Sequence, residues 1–258
     1  MKKVLNFLLL FLAVGLLTSC GQSKEAAAVD QLIAEIGEVN INSELKIADA
    51  ENAYDALSQE DKEQVKRLDE LEEMRNTYNT LKADNINDEL ERMKNEKAIT
   101  QAEVDAITEE INALPDTVEK LIDKDLYDDA VEIKPDEKAG IVAVNSLMTF
   151  LENKSSLNLY EVCVKEGIGP DGVDLVSVSF SASNGIGANI DGSECIDVNR
   201  NDWSTQTFDY INLYLYLGGN ESDIAGLKNS MTMAYIASDQ EEVNLDVDRI
   251  MKNLDVVD

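Results

Sequence analysis

Between Val176 and Ser181 apolar and small polar residues alternate without a slip: Val176, Val178 and Phe180 against Ser177, Ser179 and Ser181. A period of two belongs to a β-strand, so this run calls for a strand with one buried and one wet face. Tyr160, Val162 and Val164 mark an earlier strand, and Ile196 and Val198 a later one. Asn184-Gly185 and Asp191-Gly192 are expected to supply the positive-φ residues of the turns between them. Residues 158 to 199 therefore read as a small antiparallel sheet. Upstream, the apolar residues recur in steps of three and four, which sets the fold class as α+β: a mainly helical N-terminal region, then a small antiparallel sheet packed on helices.

The helical region is well punctuated. Val29, Leu32, Ile33 and Ile36 keep helical spacing up to Gly37, a natural C′ position. Ser43 is the expected N-cap of a second helix carrying Leu45, Ile47, Ala50, Ala53, Tyr54 and Leu57, and Ser58 that of a third. From Leu68 the stripe runs through Leu71, Met74, Tyr78 and Leu81, slips at residues 84–87, and resumes at Ile86, Leu90 and Met93. Such a slip predicts a break or bend rather than a sustained coiled coil. Thr100 and Glu103 make a capping box, and Pro135 suits the first position of an apolar helix running to Leu151. Toward the C-terminus, residues 208–217 fit helix and strand equally. Ile224, Leu227, Met231 and Tyr235 predict a helix, and Ser238 with Glu241 a capping box for a last helix holding Val243, Val247, Ile250 and Leu254.

Charge and composition narrow the chemistry. The chain has 22 basic and 52 acidic residues, a net charge of −30, and such a field repels phosphate backbones, so nucleic acid is not an expected partner. It has no histidine, which removes the imidazole base of the usual Ser and Cys hydrolases and every His-based zinc site. Carboxylate-only chemistry, as in glycoside hydrolases, stays open, but with this many acids no Asp/Glu pair singles itself out. No catalytic residue, cofactor or metal site is assigned.

The N-terminus reads as an address. Lys2-Lys3, an apolar core from Val4 to Leu17, and Leu17-Thr18-Ser19-Cys20 form a secretion signal. The apolar run is short for a spanning helix, which needs about 20 such residues. This segment resembles the bacterial lipobox. The resemblance implies cleavage before Cys20, a diacylglycerol on its thiol, attachment to the cell membrane on the extracytoplasmic face, and a flexible tether opening with Gly21-Gln22-Ser23-Lys24. Loss of Lys2 and Lys3 with the signal would take the net charge from −30 to −32.

Two further stretches resemble known families. Leu32-Ile33, Ile36-Gly37, Val39, Ile41, Ser43, Ile47, Ala53-Tyr54-Asp55-Ala56-Leu57, Lys62 and Val65 resemble a helical module of Gram-positive wall-associated proteins, which implies a spacer or docking unit without catalytic residues. Leu151-Glu152-Asn153-Lys154-Ser155-Ser156-Leu157 and Ser181-Ala182-Ser183-Asn184-Gly185-Ile186-Gly187 resemble a helix-sheet domain of Gram-positive surface lipoproteins. There Lys154 replaces a proline, Ser183 a lysine and Ile186 an aromatic residue. The expected organisation is a signal peptide at 1–19, a lipidated tether at 20–28, a helical module at 29–98, a helical region and candidate degraded second module at 99–134, and an α+β domain at 135–258.

Three features are candidate sites. Trp203, the single tryptophan, with Asp202 and Tyr210 could stack on and hydrogen-bond a sugar or peptide. Asp197, Asn199 and Asn201 match the start of a calcium loop, but Asp202 and Phe208 stand where it needs glycine and glutamate, so a polar turn is expected. Cys163 and Cys195 share a strand face and would close a long loop for about 3 to 4 kcal/mol. In a simple meander, though, strands one and three lie about 9.5 Å apart, so a disulfide predicts that these strands are neighbours. The functional expectation is a lipid-anchored envelope protein that binds a cell-wall component or an exported protein without catalysis; the alternative is a carboxylate-dependent enzyme acting on wall glycan.

Overall fold

The computed structural model describes residues 22–168, 173–184, 186–205 and 221–254. The chain divides into two compact units, one comprising the residues up to Ile86 with Pro115–Ile122, the other Asn87–Leu114 with Asp123–Asp258. This differs from the linear partition expected at 98 and 134, because residues 87–114 and 123–134 group with the sheet. The structure is α+β, helices first and the sheet after.

In the helical unit, α1 (Lys24–Ile36) starts at Ser23, whose Oγ accepts from Ala26 N at 3.1 Å, and ends at Gly37, φ 70°. The expected tether over 20–28 is therefore replaced, from Gln22 on, by folded structure; Ala26 is fully buried. Next come α2 (Glu44–Asp55), the single turn α3 (Gln59–Lys62) capped by Ser58, and α4 (Leu68–Asn95), whose residues from Asn87 on are counted with the other unit. Val29, Ile33, Ile36, Ile47, Ala50 and Leu71 form the core. Ser43 is buried but does not cap α2: its Oγ accepts from Asn40 N instead, closing the preceding turn. Asp30 on α1 accepts from Lys66 N and Arg67 N at 3.0 Å each, satisfying donors just ahead of α4. The expected break in α4 is absent. Ala83, Ile86, Leu90 and Met93 are buried at helical spacing while Leu81 turns outward, so the stripe drifts around one continuous helix.

The sheet unit contains α5 (Gln101–Asn112), with the Thr100–Glu103 capping box as read, then α7 (Lys124–Val131) and α8 (Pro135–Met148), Pro135 in the first turn. The one-turn α6 (Asp116–Glu119) falls in the other unit. Strands β1 (Asn158–Lys165), β2 (Asp174–Ser183) and β3 (Asn189–Val198) form an antiparallel meander. After α9 (Glu221–Ala237), β4 (Glu242–Leu245) joins the far side of β1, giving the order β3-β2-β1-β4. One face, with Val162, Val164, Val176, Val178, Ile196 and Val198, packs on α8. Gly140 on α8 is what admits this approach, since a Cβ there would collide with Leu245 of β4.

Three sequence expectations are corrected here. Ser238 and Glu241 do not open a last helix: Glu242–Leu245 pairs as a strand, and Asp246 caps the shorter α10 (Val247–Lys252), accepting from Arg249 N at 2.7 Å. Asp191 and Gly192 lie within β3, where Gly192 leaves room for the Phe180 ring directly opposite. The hairpin turn lies earlier, where Asn184 Oδ1 accepts from Ile186 N and Ala188 N and Gly187 takes φ 79°. The second face of the sheet is not wholly wet either, because Met231 and Tyr235 of α9 cover Cys163 and Leu175. The ambiguity over 208–217 lies outside the described residues.

At the base of α8 sits the most deeply buried ion pair among the described residues of the unit. Glu137 and Arg249 have side chains 1% and 3% exposed and meet at 2.9 Å. Glu137 also accepts from Ile99 N (2.7 Å) and Lys134 N (2.9 Å), and Arg249 donates to the carbonyls of Val131 and Glu132. Removing one partner strands a buried charge, so Arg249→Met should cost about 3–5 kcal/mol, read from the urea midpoint, whereas Glu137→Leu with Arg249→Met should recover part of that loss.

Candidate functional site

β3 ends at Val198, and the chain turns back through residues 199–204, closed by an antiparallel bridge between Asn199 and Ser204. Asn199 Oδ1 accepts from Asn201 N, and Asp202 Oδ1 accepts from Ser204 N and Ser204 Oγ at 3.1 and 2.6 Å. Of the three residues that match the start of a calcium loop, the Asn199 side chain is thus used within the turn itself, as is that of Asp202 at the mismatched position. Among the described residues no group of three or more Cys, Asp or Glu is arranged to hold a metal ion.

Trp203 occupies the left-handed region, φ 57°, held there by its N–H donating to Asn199 O at 2.7 Å. Its ring is half-buried against the α8 face of the sheet core, and Lys138 of α8 places its ammonium 4.3 Å from the ring centroid. A cation so placed is attracted by the ring quadrupole. The structure therefore brings Trp203 and Asp202 into one turn, but the ring carries Lys138 on one side, and the Asp202 carboxylate folds back on Ser204. The hydroxyl and backbone of Ser204 hold the Asp202 carboxyl below its ordinary range. That suits a fixed anion and not a proton donor. Tyr210 lies outside the described residues.

The turn is bolted down by a residue that sequence reasoning did not single out. Arg200 reaches Asp174 at the start of β2 and Asp136 in the first turn of α8, and lies 3.7 Å from Glu166. Burial works against its charge, but the hydrogen bonds to Asp174 and Asp136 outweigh that, and its pKa rises. The buried carboxylates of Asp136 and Asp174 are thus committed to one guanidinium. A signal for this existed in the composition: with 22 basic residues against 52 acidic ones, an arginine in a turn following a strand is a scarce counter-ion for any acid that must be buried.

The two thiols do not pair. Cys163 and Cys195 are free, and both are registered to Ser177 of β2, one from each side, so a whole strand separates them. The sheet is the simple meander in which their disulfide is out of reach. Cys163 Sγ donates to Asn244 Oδ1 at 2.9 Å. Burial, reinforced by neighbouring acids, pushes each thiol from 9.0 up to about 12, which leaves them unreactive at neutral pH.

A concavity lies in the helical unit. Tyr54, Lys62, Val65, Lys66 and Asp69 line an open polar groove, with the Lys62 ammonium 5.0 Å from the Tyr54 ring centroid.

Comparison of the chain with known protein families, with curated proteins and with solved structures finds no match. The functional reading therefore rests on the residues.

Two outcomes follow. Trp203→Ala should cost about 2 kcal/mol, less than for a wholly buried ring, and Trp203→Phe less than half of that, as measured by urea unfolding. The raised thiol values stabilise the fold fully below pH 9 and progressively less as pH climbs toward 12. Thermal melts across that window should fall, and Cys163→Ser with Cys195→Ser should flatten the fall.

Proposed function

We propose that this chain is a membrane-anchored extracytoplasmic lipoprotein, acting as a non-enzymatic binding or adaptor protein at the cell envelope. The observation that carries the reading is Leu17-Thr18-Ser19-Cys20 at the end of an apolar run opened by Lys2-Lys3. A diacylglycerol brings two acyl chains to one cysteine, and two chains suffice for stable anchoring where one does not. Among the described residues no helix is long and apolar enough to cross a membrane; the anchor in this reading is the lipid on Cys20.

The binding role is supported by how the polar groups are used. Asp136 and Asp174 are tied to Arg200, Glu137 to Arg249, and Asp202 to Ser204. The groove beside Tyr54 and Lys62 is open and polar, which suits a peptide or glycan surface better than a small apolar ligand. Partners in this reading are a wall polymer or another exported protein.

The test has two arms. Cells grown with a clickable fatty acid should label the wild-type chain in the membrane fraction, and Cys20→Ala should lose both label and membrane attachment. A cross-linking pull-down from intact cells, with a C-terminal tag, should recover one wall polymer or exported protein with the lipidated wild type. Turnover of wall glycan by the purified soluble body would reject the non-enzymatic assignment.

A further inference from the structure

The expected tether is replaced by a clasp, and that carries a consequence for what the helical unit touches. Gln22 Nε2 donates to Asp30 Oδ2 at 2.6 Å and to Gln64 O at 2.9 Å. Ser23 N donates to Gln64 Oε1 at 2.7 Å, while Ser23 Oγ caps α1. The first turn of α1 is thus fastened from two sides, by its own Asp30 and by the segment following α3, and Ala26 behind it is fully buried. Gln22 belongs to the folded body.

Only Gly21 separates Gln22 from Cys20. Two Cα–Cα steps span at most about 8 Å. We infer that the end of the helical unit formed by Gln22, Ser23, Lys24 and the adjoining residues 61–64 rests against the lipid headgroups of the bilayer, instead of floating on a leash. The inference rests on lipidation of Cys20, proposed above.

Charge does not draw this end to the bilayer. Lys24 and Lys62 are matched there by Glu25, Glu60 and Glu63. The shortness of the covalent link supplies the contact. The opposite end of α1 lies about 20 Å away, since each helical residue adds 1.5 Å, and Glu38, just past it, should stand clear of the headgroups.

The inference is tested with the full lipidated chain, purified from membranes and reconstituted into phosphatidylethanolamine–phosphatidylglycerol vesicles that carry a headgroup quencher. Glu63→Cys and Glu38→Cys, both at exposed positions, are labelled with a fluorophore, and the signal of wild-type protein with its native thiols is subtracted. The label at 63 should lose most of its fluorescence and the label at 38 little. Inserting a ten-residue Gly-Ser segment between Gly21 and Gln22 should restore the fluorescence at 63. Equal quenching at both positions, or quenching at 63 that survives the insertion, overturns the inference while the anchor stands. Absence of lipid on Cys20, or failure of the chain to stay with the vesicles, overturns the anchor and the inference together.

Discussion

The sheet unit depends on the Glu137–Arg249 pair more than on any other single interaction. Glu137 sits in the first turn of α8, the helix that lies on the sheet, and Arg249 sits in α10 beyond β4. Their contact, with the backbone bonds to Ile99, Lys134, Val131 and Glu132, ties four separate segments to one point. In a low-dielectric interior an unpaired charge is far more costly than a paired one, so the cluster specifies a single arrangement of those segments. α8 is thereby fixed over β1 and β2, and Gly140 sets how closely it approaches β4.

The same scarcity of cations shapes the rest of the unit. Arg200 holds the turn after β3 to the starts of β2 and α8, and Lys165 crosses under α9 to reach the carbonyls of Tyr235 and Ser238. Lys134 donates to the carbonyls of Lys94 and Asp129, with burial drawing its pKa down. Buried basic groups here act as fasteners between elements distant in sequence. The buried acids Asp136, Asp174 and Glu137 are engaged in the same fastening, and burial raises the pKa of both thiols.

Legibility in the sequence followed range. Ser23 was overlooked as a cap, but Ser58, the Thr100–Glu103 box, Pro135, the strands β1 and β2 and the Ile196–Val198 end of β3 carry signals within a few residues and are legible. β4 was missed because its four residues become a strand only by meeting Val162 to Lys165, some 80 positions away. Gly192 carried a turn signature, yet its role is to clear space for Phe180 on a neighbouring strand, a contact that no local pattern encodes. Of the candidate site, Trp203 and Asp202 were found by residue type alone. Lys138 meets that turn only through the packing of α8 on the sheet, and the same packing gives Arg200, a member of the turn, its partner Asp136.

The helical unit shows how such a non-local contact can change a functional reading. By composition, Gly21-Gln22-Ser23-Lys24 is a linker, small and polar, and nothing nearby argues otherwise. Gln64, more than 40 residues on, turns two of those residues into part of a helix start. In the proposed lipid-anchored form, with a net charge near −32 once the signal is removed, a tethered body would be free to drift from an anionic bilayer by more than the Debye length of about 8 Å, beyond which the repulsion is screened. A clasped body would lack that freedom. Its acidic groups near α1 would then lie within the range of the bilayer's own field, and the covalent link together with the hydrogen bonds of Gln22, Ser23, Asp30 and Gln64, rather than surface charge, would set how that end faces the lipid.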